Sequence, residues 1–368
     1  MEDKQRQELL GVFGEHRHSK RRRIFIIISA TVGAVSAAVL IAYILTPKSP
    51  PSAPAAAPIV IDEDKPLPIP EPVFYSPLTG LKVKDEAAVK RQTTAIMIEN
   101  SPESRPQSGM HDAGVTYEAV AEGGITRFLT VYQEKLPKLI GPVRSLRPYY
   151  VSWLAPYDPA VAHVGGSAAA LKEVRNGKYK DIDQFFNPGA YYRSSDRYAP
   201  HNVYTTADRL NKLNKDKGFT AATFDAWPRK VDAPSTKPNA KTINVAISGP
   251  TYNSRYTYDA KTNSYKRFQD GKPHVDREAK KPLNPKVVIV MKVKQEAGFE
   301  DGYREQITTT GKGEALIFQD GTALKVTWSK KDKRAPIKFT KDNEEVLINA
   351  GRVWITAIDS SGASVTYK

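Results

Sequence analysis

PAVAHVGGSAAALKEV, residues 159–174, changes its period part-way along and thereby decides the fold class. Its first half is a short apolar run, its middle a Gly-Gly-Ser turn, and its second half reads as a helix with Ser167 as the candidate N-cap. Strand, tight turn and helix in that order are the unit of a layered α/β domain. The same alternation extends outward through TTAIMIEN (93–100), GITRFLTVYQ (124–133) and TTADRLNKLNKDKGF (205–219). From Lys241 onward the helical spacing stops. YTYDAKTNSYKRF (256–268), ALIFQDGTALKVTW (315–328) and VWITAIDSSGASVTYK (353–368) read as strands, with Asp320-Gly321 and Ser361-Gly362 placed for hairpin turns. The expected class is α+β: an α/β domain over 74–229, a mainly β domain over 241–368, and the proline-rich KVDAPSTKPNA (230–240) as the seam.

Upstream, residues 24–45 (IFIIISATVGAVSAAVLIAYIL) are 22 residues without a charge, enough to cross a bilayer. KRRR (20–23) precedes them, and an excess of cations there keeps that end in the cytoplasm and puts the bulk of the chain outside. A cleaved signal peptide, with the alanines at 55–57 as its site, is the rival, but the apolar run exceeds the roughly 7–15 residues of a signal core. The expected order is a basic cytoplasmic tail (1–23), a single transmembrane helix (24–45) that makes the membrane the first partner, and a Pro/Ala-rich linker (46–73) that acts as an extended spacer.

A formal net charge of +15 favours anionic partners. For a folded part that faces outward, nucleic acid is a poor candidate, and an anionic envelope polymer or lipid-linked precursor is a good one. The chain has no cysteine, which excludes disulfides, thiolate metal sites and cysteine nucleophiles. HExxH and GxSxG patterns are also missing. Oligomeric state leaves no mark on the sequence.

GPVRSLRPYY (141–150) sets two arginines and a serine ahead of Pro148, and the aromatic run that follows suits a short helix starting on that proline. Arg144, Ser145 and Arg147 then stand at a helix N-terminus, where unpaired N–H groups favour an anion, and arginine suits bidentate recognition of phosphate or carboxylate. The alternative is that these arginines pair with carboxylates that pin the loop. The Gly165-Gly166-Ser167 turn repeats the form. If both turns lie at the carboxyl ends of neighbouring strands, they flank the crevice in which open α/β sheets bind ligands, with His163 beside it.

Glu118 and Glu122, in YEAVAEGGITRF (117–128), share one side in either a helix or a strand. They are candidates to hold a divalent metal, to act as acid and base, or to bind the arginines of the 144–147 turn. Arg127 shares the parity of Ile125 and Leu129 and needs a partner. In YRSSDRYAPHNVYT (192–205), His201 and Asn202 follow a proline in a polar loop near Arg193 and Arg197, which makes His201 the candidate catalytic histidine. His111 lies in a similar loop.

RPQSGMHDAGVTYEAVAEGGITRFLTVYQ (105–133), IGPVRSLRPYY (140–150), AHVGGSAAAL (162–171) and APHNVYT (199–205) together resemble the YerB-like bacterial lipoproteins, a family catalogued as a domain of unknown function. GKPHVDREAKKPL (271–283), KVVIVMKV (286–293) and LKVTWSK (324–330) resemble that family's second half. The resemblance spans residues 75–368 and implies an extracytoplasmic, surface-tethered protein in two parts, without an established activity. A chain without cysteine cannot be lipidated at a lipobox, so the transmembrane helix would replace that anchor. In layout alone, the basic tail, single span, arginine-bearing strand and arginine-rich turn are similar to the LytR-CpsA-Psr envelope ligases. Those bind a polyprenyl pyrophosphate with arginines and place magnesium with a carboxylate. Their catalytic turn carries an Arg-Asp pair where this chain has Arg144-Ser145.

Three functions follow as expectations. The first is binding of a phosphate- or carboxylate-bearing envelope component by Arg127, Arg144 and Arg147, with Ser145, His163, Ser167 and Asn202 completing the site. The second is a phosphotransferase or hydrolase that uses Glu118, Glu122 and His201, with magnesium as its candidate cofactor. The third is a basic scaffold, since residues 229–368 carry 26 Lys+Arg against 16 Asp+Glu.

Overall fold

The computed structural model describes residues 72–368; the expected transmembrane helix (24–45) and nearly all of the linker lie outside them. Among the described residues no helix is long and apolar enough to cross a membrane. Glu71–Lys368 forms a compact unit. Its first part contains β1 (Thr94–Glu99), β2 (Val115–Glu122), β3 (Ile125–Tyr132), α1 (Pro148–Leu154), β4 (Ala160–Ala162), α2 (Ala168–Val174), β5 (Lys180–Asp181) and α3 (Ala207–Asp216). Then follow β6 (Thr242–Ala246), β7 (Ser254–Asp259), β8 (Ser264–Gln269), β9 (Lys272–Pro273), β10 (Val287–Val293), β11 (Gly311–Gln319), β12 (Thr322–Lys330), β13 (Lys338–Lys341), β14 (Glu344–Glu345), β15 (Val353–Asp359) and β16 (Ser364–Tyr367).

A large mixed sheet runs in the order β14-β13-β12-β11-β10-β15-β2-β3-β1-β4-β5, and a second, antiparallel sheet in the order β9-β8-β7-β6-β16. Every residue of β1 is buried, because both faces of the large sheet are covered and the strand reads as one apolar run. Alternation sorts its neighbours. Met97, Tyr117, Leu129, Ile289 and Ile355 face the helix layer, where Tyr150, Trp153 and Leu154 of α1 pack. Ile98, Phe128, Val288 and Trp354 face the second sheet, against Ile243, Val245, Tyr256 and Tyr265. The layers are therefore helices, large sheet and small sheet.

The molecule is α+β and mostly β, with a β-rich C-terminal region. Helix is sparser in the first part than an α/β domain implies: α1 and α2 have seven residues each. The two parts also share one sheet, for β15 lies parallel to both β10 and β2. The Asp320-Gly321 hairpin forms as expected, with Gln319 opposite Thr322. Ser361-Gly362 is a different kind of turn, since β15 belongs to the large sheet and β16 pairs with β6 in the small one. A turn signal marks where the chain reverses without saying which sheet edge receives it.

Candidate functional site

β1, β4 and β5 are parallel neighbours, so Glu99, the 163–167 turn and the 182–187 turn emerge at one end of the sheet. The antiparallel β2–β3 hairpin, closed by Gly123 and Gly124 at φ 55° and 79°, brings Glu122 and Arg127 to the same end. The 141–147 turn is laid between β1 and the 163–167 turn. Arg144 N–H donates to the Met97 carbonyl (2.9 Å), Val164 N–H to the Arg144 carbonyl (3.1 Å) and Leu146 N–H to the Gly165 carbonyl (3.0 Å). Gly141, at φ 150°, lets this turn approach Tyr204; a Cβ there would lie 2.7 Å from the ring.

At this end the three arginines part. Arg127 and Arg147 both close on Glu122: Arg127 Nη2 donates to Oε1, and Arg147 Nη2 to Oε2 at 2.6 Å. Their remaining Nη groups donate to the carbonyls of Ser145 (3.1 Å) and Leu146 (2.9 Å). Burial opposes ionisation of Glu122, but Arg127 and Arg147 outweigh it and hold the carboxyl below its ordinary value. This is the pinned-loop arrangement, and it leaves Arg127 and Arg147 buried, while the half-buried Ser145 contributes its carbonyl.

Glu118 lies on the other face. A bulge between Val120 and Glu122 shifts the register, so the two glutamates do not share a side as even spacing predicts. Fully buried, Glu118 accepts two bonds from the Nη2 of Arg267 on β8 (3.0 and 2.8 Å) and one from Trp354 Nε1 (3.1 Å). From Arg267 the bonds run on through His274, Gln107, Asn100 and Thr126 and return to Glu118, a closed polar ring that joins the two sheets. Neither glutamate is therefore open to a ligand or a metal. Among the described residues, no three His, Asp or Glu side chains are placed to hold a metal ion.

Burial, reinforced by Arg267, pushes the His274 imidazole well below its ordinary 6.5. The unfolded chain takes up a proton near 6.5 where the folded chain does not, so the unfolded state binds more protons below that pH and stability falls on acidification. The expected slope is up to about 1.4 kcal/mol per pH unit from this residue. Urea unfolding between pH 7 and pH 5 measures it, and His274→Asn is expected to flatten it.

Most of the other candidates hold turns. His163, fully buried, bonds the Gly165 carbonyl through Nδ1 (2.7 Å) and Asp181 through Nε2 (3.0 Å). Ser167 caps α2, its Oγ accepting from Ala170 N–H. Asn202 fixes the 193–202 loop through Arg193 and the carbonyls of Ser194 and Arg197. His111 lies apart, beside Asp276 and Arg352.

Arg144 and His201 remain, and they converge on a residue outside the expected set, Glu99. Its Oε1 accepts from His201 Nδ1 (2.9 Å) and lies 3.3 Å from Arg144 Nε, with Ser101 Oγ 3.1 Å from the same ring nitrogen. The Glu99 side chain is 5% exposed, Arg144 25% and His201 24%. Among the described residues neither Arg144 Nη nor His201 Nε2 has a hydrogen-bond partner. Glu99 Oε2 is buried and unpartnered. Because Ser101 and Glu99 both meet Nδ1, the group cannot work as a serine triad, in which the two partners occupy opposite ring nitrogens. Glu99 carried one signal in the sequence: a carboxylate ending an otherwise apolar strand.

Residues 78–220 match the family described as "Protein of unknown function (DUF3048) N-terminal domain", and residues 243–355 match its C-terminal domain. The chain belongs to the DUF3048 family. Its relatives include "Putative lipoprotein YerB" of Bacillus subtilis (strain 168), 32% identical over 297 residues, which covers 79% of this chain and 88% of that protein. The crystal structure of YerB protein from Bacillus subtilis is similar with a TM-score of 0.72 at 29% identity, over 80% of this chain and 99% of that one. The YerB-like resemblance of the sequence motifs thus holds across both DUF3048 domains.

Proposed function

We propose that this DUF3048 protein is tethered to the membrane with its folded part outside the cell, and that it binds a phosphate- or carboxylate-bearing envelope component through Arg144 and His201. One observation carries the reading: a single buried carboxylate, Glu99, holds a guanidinium and an imidazole side by side at the surface, with the Nη fork and Nε2 open. A planar fork takes two anion oxygens, and the imidazole, held through Nδ1 on Glu99, presents Nε2 beside it. His201 is held by its bond to Glu99 and Arg144 by charge at 3.3 Å from the same carboxylate, so part of their rotamer freedom is given up before a ligand arrives. The apolar segment 24–45 behind KRRR and the description of the relative as a lipoprotein support the outward location. With Glu118 and Glu122 locked in ion pairs, an enzymatic role would rest on the Glu99–His201 pair.

The test uses Glu71–Lys368, a compact unit in itself whose extent corresponds to the crystallised YerB chain. Its melting temperature is followed against pyrophosphate, polyprenyl phosphates, glycan fragments and teichoic-type polymers, with and without magnesium. A ligand near 100 times its Kd stabilises by about 2.7 kcal/mol, a rise of several degrees. The rise is expected in the wild type and lost in Arg144→Ala. An equal rise in both proteins overturns the proposal.

A further inference from the structure

We infer that the anion taken at Arg144 and His201 is the headgroup of an anionic lipid in a bilayer surface, and that Phe185 and Phe186 enter the apolar layer beside it. The inference rests on the anion-site reading above and names the kind of molecule that site takes. Its basis is the row of turns at the carboxyl ends of β1, β4 and β5. Arg144 is bonded on one side to Met97 and on the other to Val164. The next turn is fastened to the same rim: Gln184 N–H donates to the His163 carbonyl (3.0 Å), and Gly165 N–H donates to Asp183 Oδ1 (3.2 Å). The Phe185 ring lies 3.1 Å from where a Cβ on Gly165 would stand. Neighbouring strands are about 4.8 Å apart, so two steps along the rim put the phenylalanine turn about 10 Å from Arg144.

At the tip of that turn Phe185 is 66% exposed and Phe186 69%. Two adjacent large rings without a polar atom, held out in water, mark a contact surface. The Arg175 guanidinium stacks on Phe186, 4.8 Å from its ring centroid, and so props that ring outward. Asp183 pairs with Arg175, and Asp181 lies 3.8 Å from the same guanidinium and 3.0 Å from His163, so the open cation of this rim is Arg144. An open guanidinium at the level of the rim, with apolar rings exposed beside it, matches the layering of a membrane surface, where phosphates lie above hydrocarbon. A bare phenylalanine pair suits hydrocarbon better than a sugar, whose hydroxyls call for hydrogen-bond partners beside the ring.

Glu71–Lys368 is mixed with phosphatidylcholine vesicles with and without phosphatidylglycerol, and separately with inorganic pyrophosphate. The expected result is co-sedimentation with the phosphatidylglycerol vesicles that weakens about tenfold or more when Phe185→Ser and Phe186→Ser are combined. Pyrophosphate affinity and melting temperature of that double variant should stay at the wild-type values, since both rings are exposed. Arg144→Ala is expected to lose both kinds of binding. Vesicle binding unchanged by the phenylalanine substitutions, or wild-type protein that takes pyrophosphate and no vesicles, overturns the lipid inference and leaves the anion site standing. Pyrophosphate binding unchanged by Arg144→Ala overturns the anion site itself, and the lipid inference with it.

Discussion

Arg267→Ala is expected to lower the unfolding free energy by about 3–5 kcal/mol, measured by urea unfolding at pH 7. Arg267 and Glu118 are fully buried, on strands of different sheets, and their ion pair is surrounded by Trp354, Tyr256 and Phe128, with the guanidinium 4.4 Å from the Trp354 ring centroid. Truncation leaves a carboxylate in the dry interior with only Trp354 and Thr126 as donors. Arg267→Lys should not rescue it, because an ammonium cannot bond Glu118, Tyr256, Gln269 and His274 together or stack on Trp354 as the planar guanidinium does. The paired change Glu118→Gln with Arg267→Met removes both charges together and is expected to be much less damaging than either single truncation. A loss below about 1 kcal/mol for Arg267→Ala would mean that the two sheets are not joined through this pair.

Glu122→Gln should be comparably severe, about 3–5 kcal/mol at pH 7, because it leaves the buried guanidiniums of Arg127 and Arg147 facing one another without a counter-charge. Its pH dependence identifies the cause. The folded-state carboxyl titrates below its ordinary 4.5, so the stability that Glu122 contributes is present above that value and lost as pH falls through the lowered one. The gap between wild type and Glu122→Gln is therefore expected to narrow on acidification below pH 4.5. A gap that stays constant between pH 7 and pH 3 would point to packing and not to charge.

These two ion pairs also show how far the sequence could be read. The strand-turn-helix unit at 159–174, the helix starting on Pro148 and the Asp320-Gly321 hairpin are all local, and each formed where residue spacing and turn chemistry placed it. Glu118 finds its partner 149 residues away, and β15 enters the sheet between strands from both parts of the chain. No local pattern encodes such pairings, since alternation says which residues are buried and not what they meet. The bulge at 120–122 was equally hidden: one extra residue reverses the side on which Glu122 emerges. At the candidate site the arginine-rich turn was legible as a charged, stiff segment. Which arginine stays open was not, because that depends on Glu122 and Glu99 reaching the turn from different strands.

The central claim is that Arg144, alone among the arginines at 127, 144 and 147, faces a ligand. Calorimetric titration of pyrophosphate into Glu71–Lys368 tests it most directly, with Arg144→Ala compared against Lys312→Ala, which removes an exposed cation elsewhere. The account predicts that Arg144→Ala weakens binding by about tenfold to a hundredfold, the worth of hydrogen bonds to a charged group, and that Lys312→Ala leaves it unchanged. Equal affinities for wild type and Arg144→Ala would contradict it.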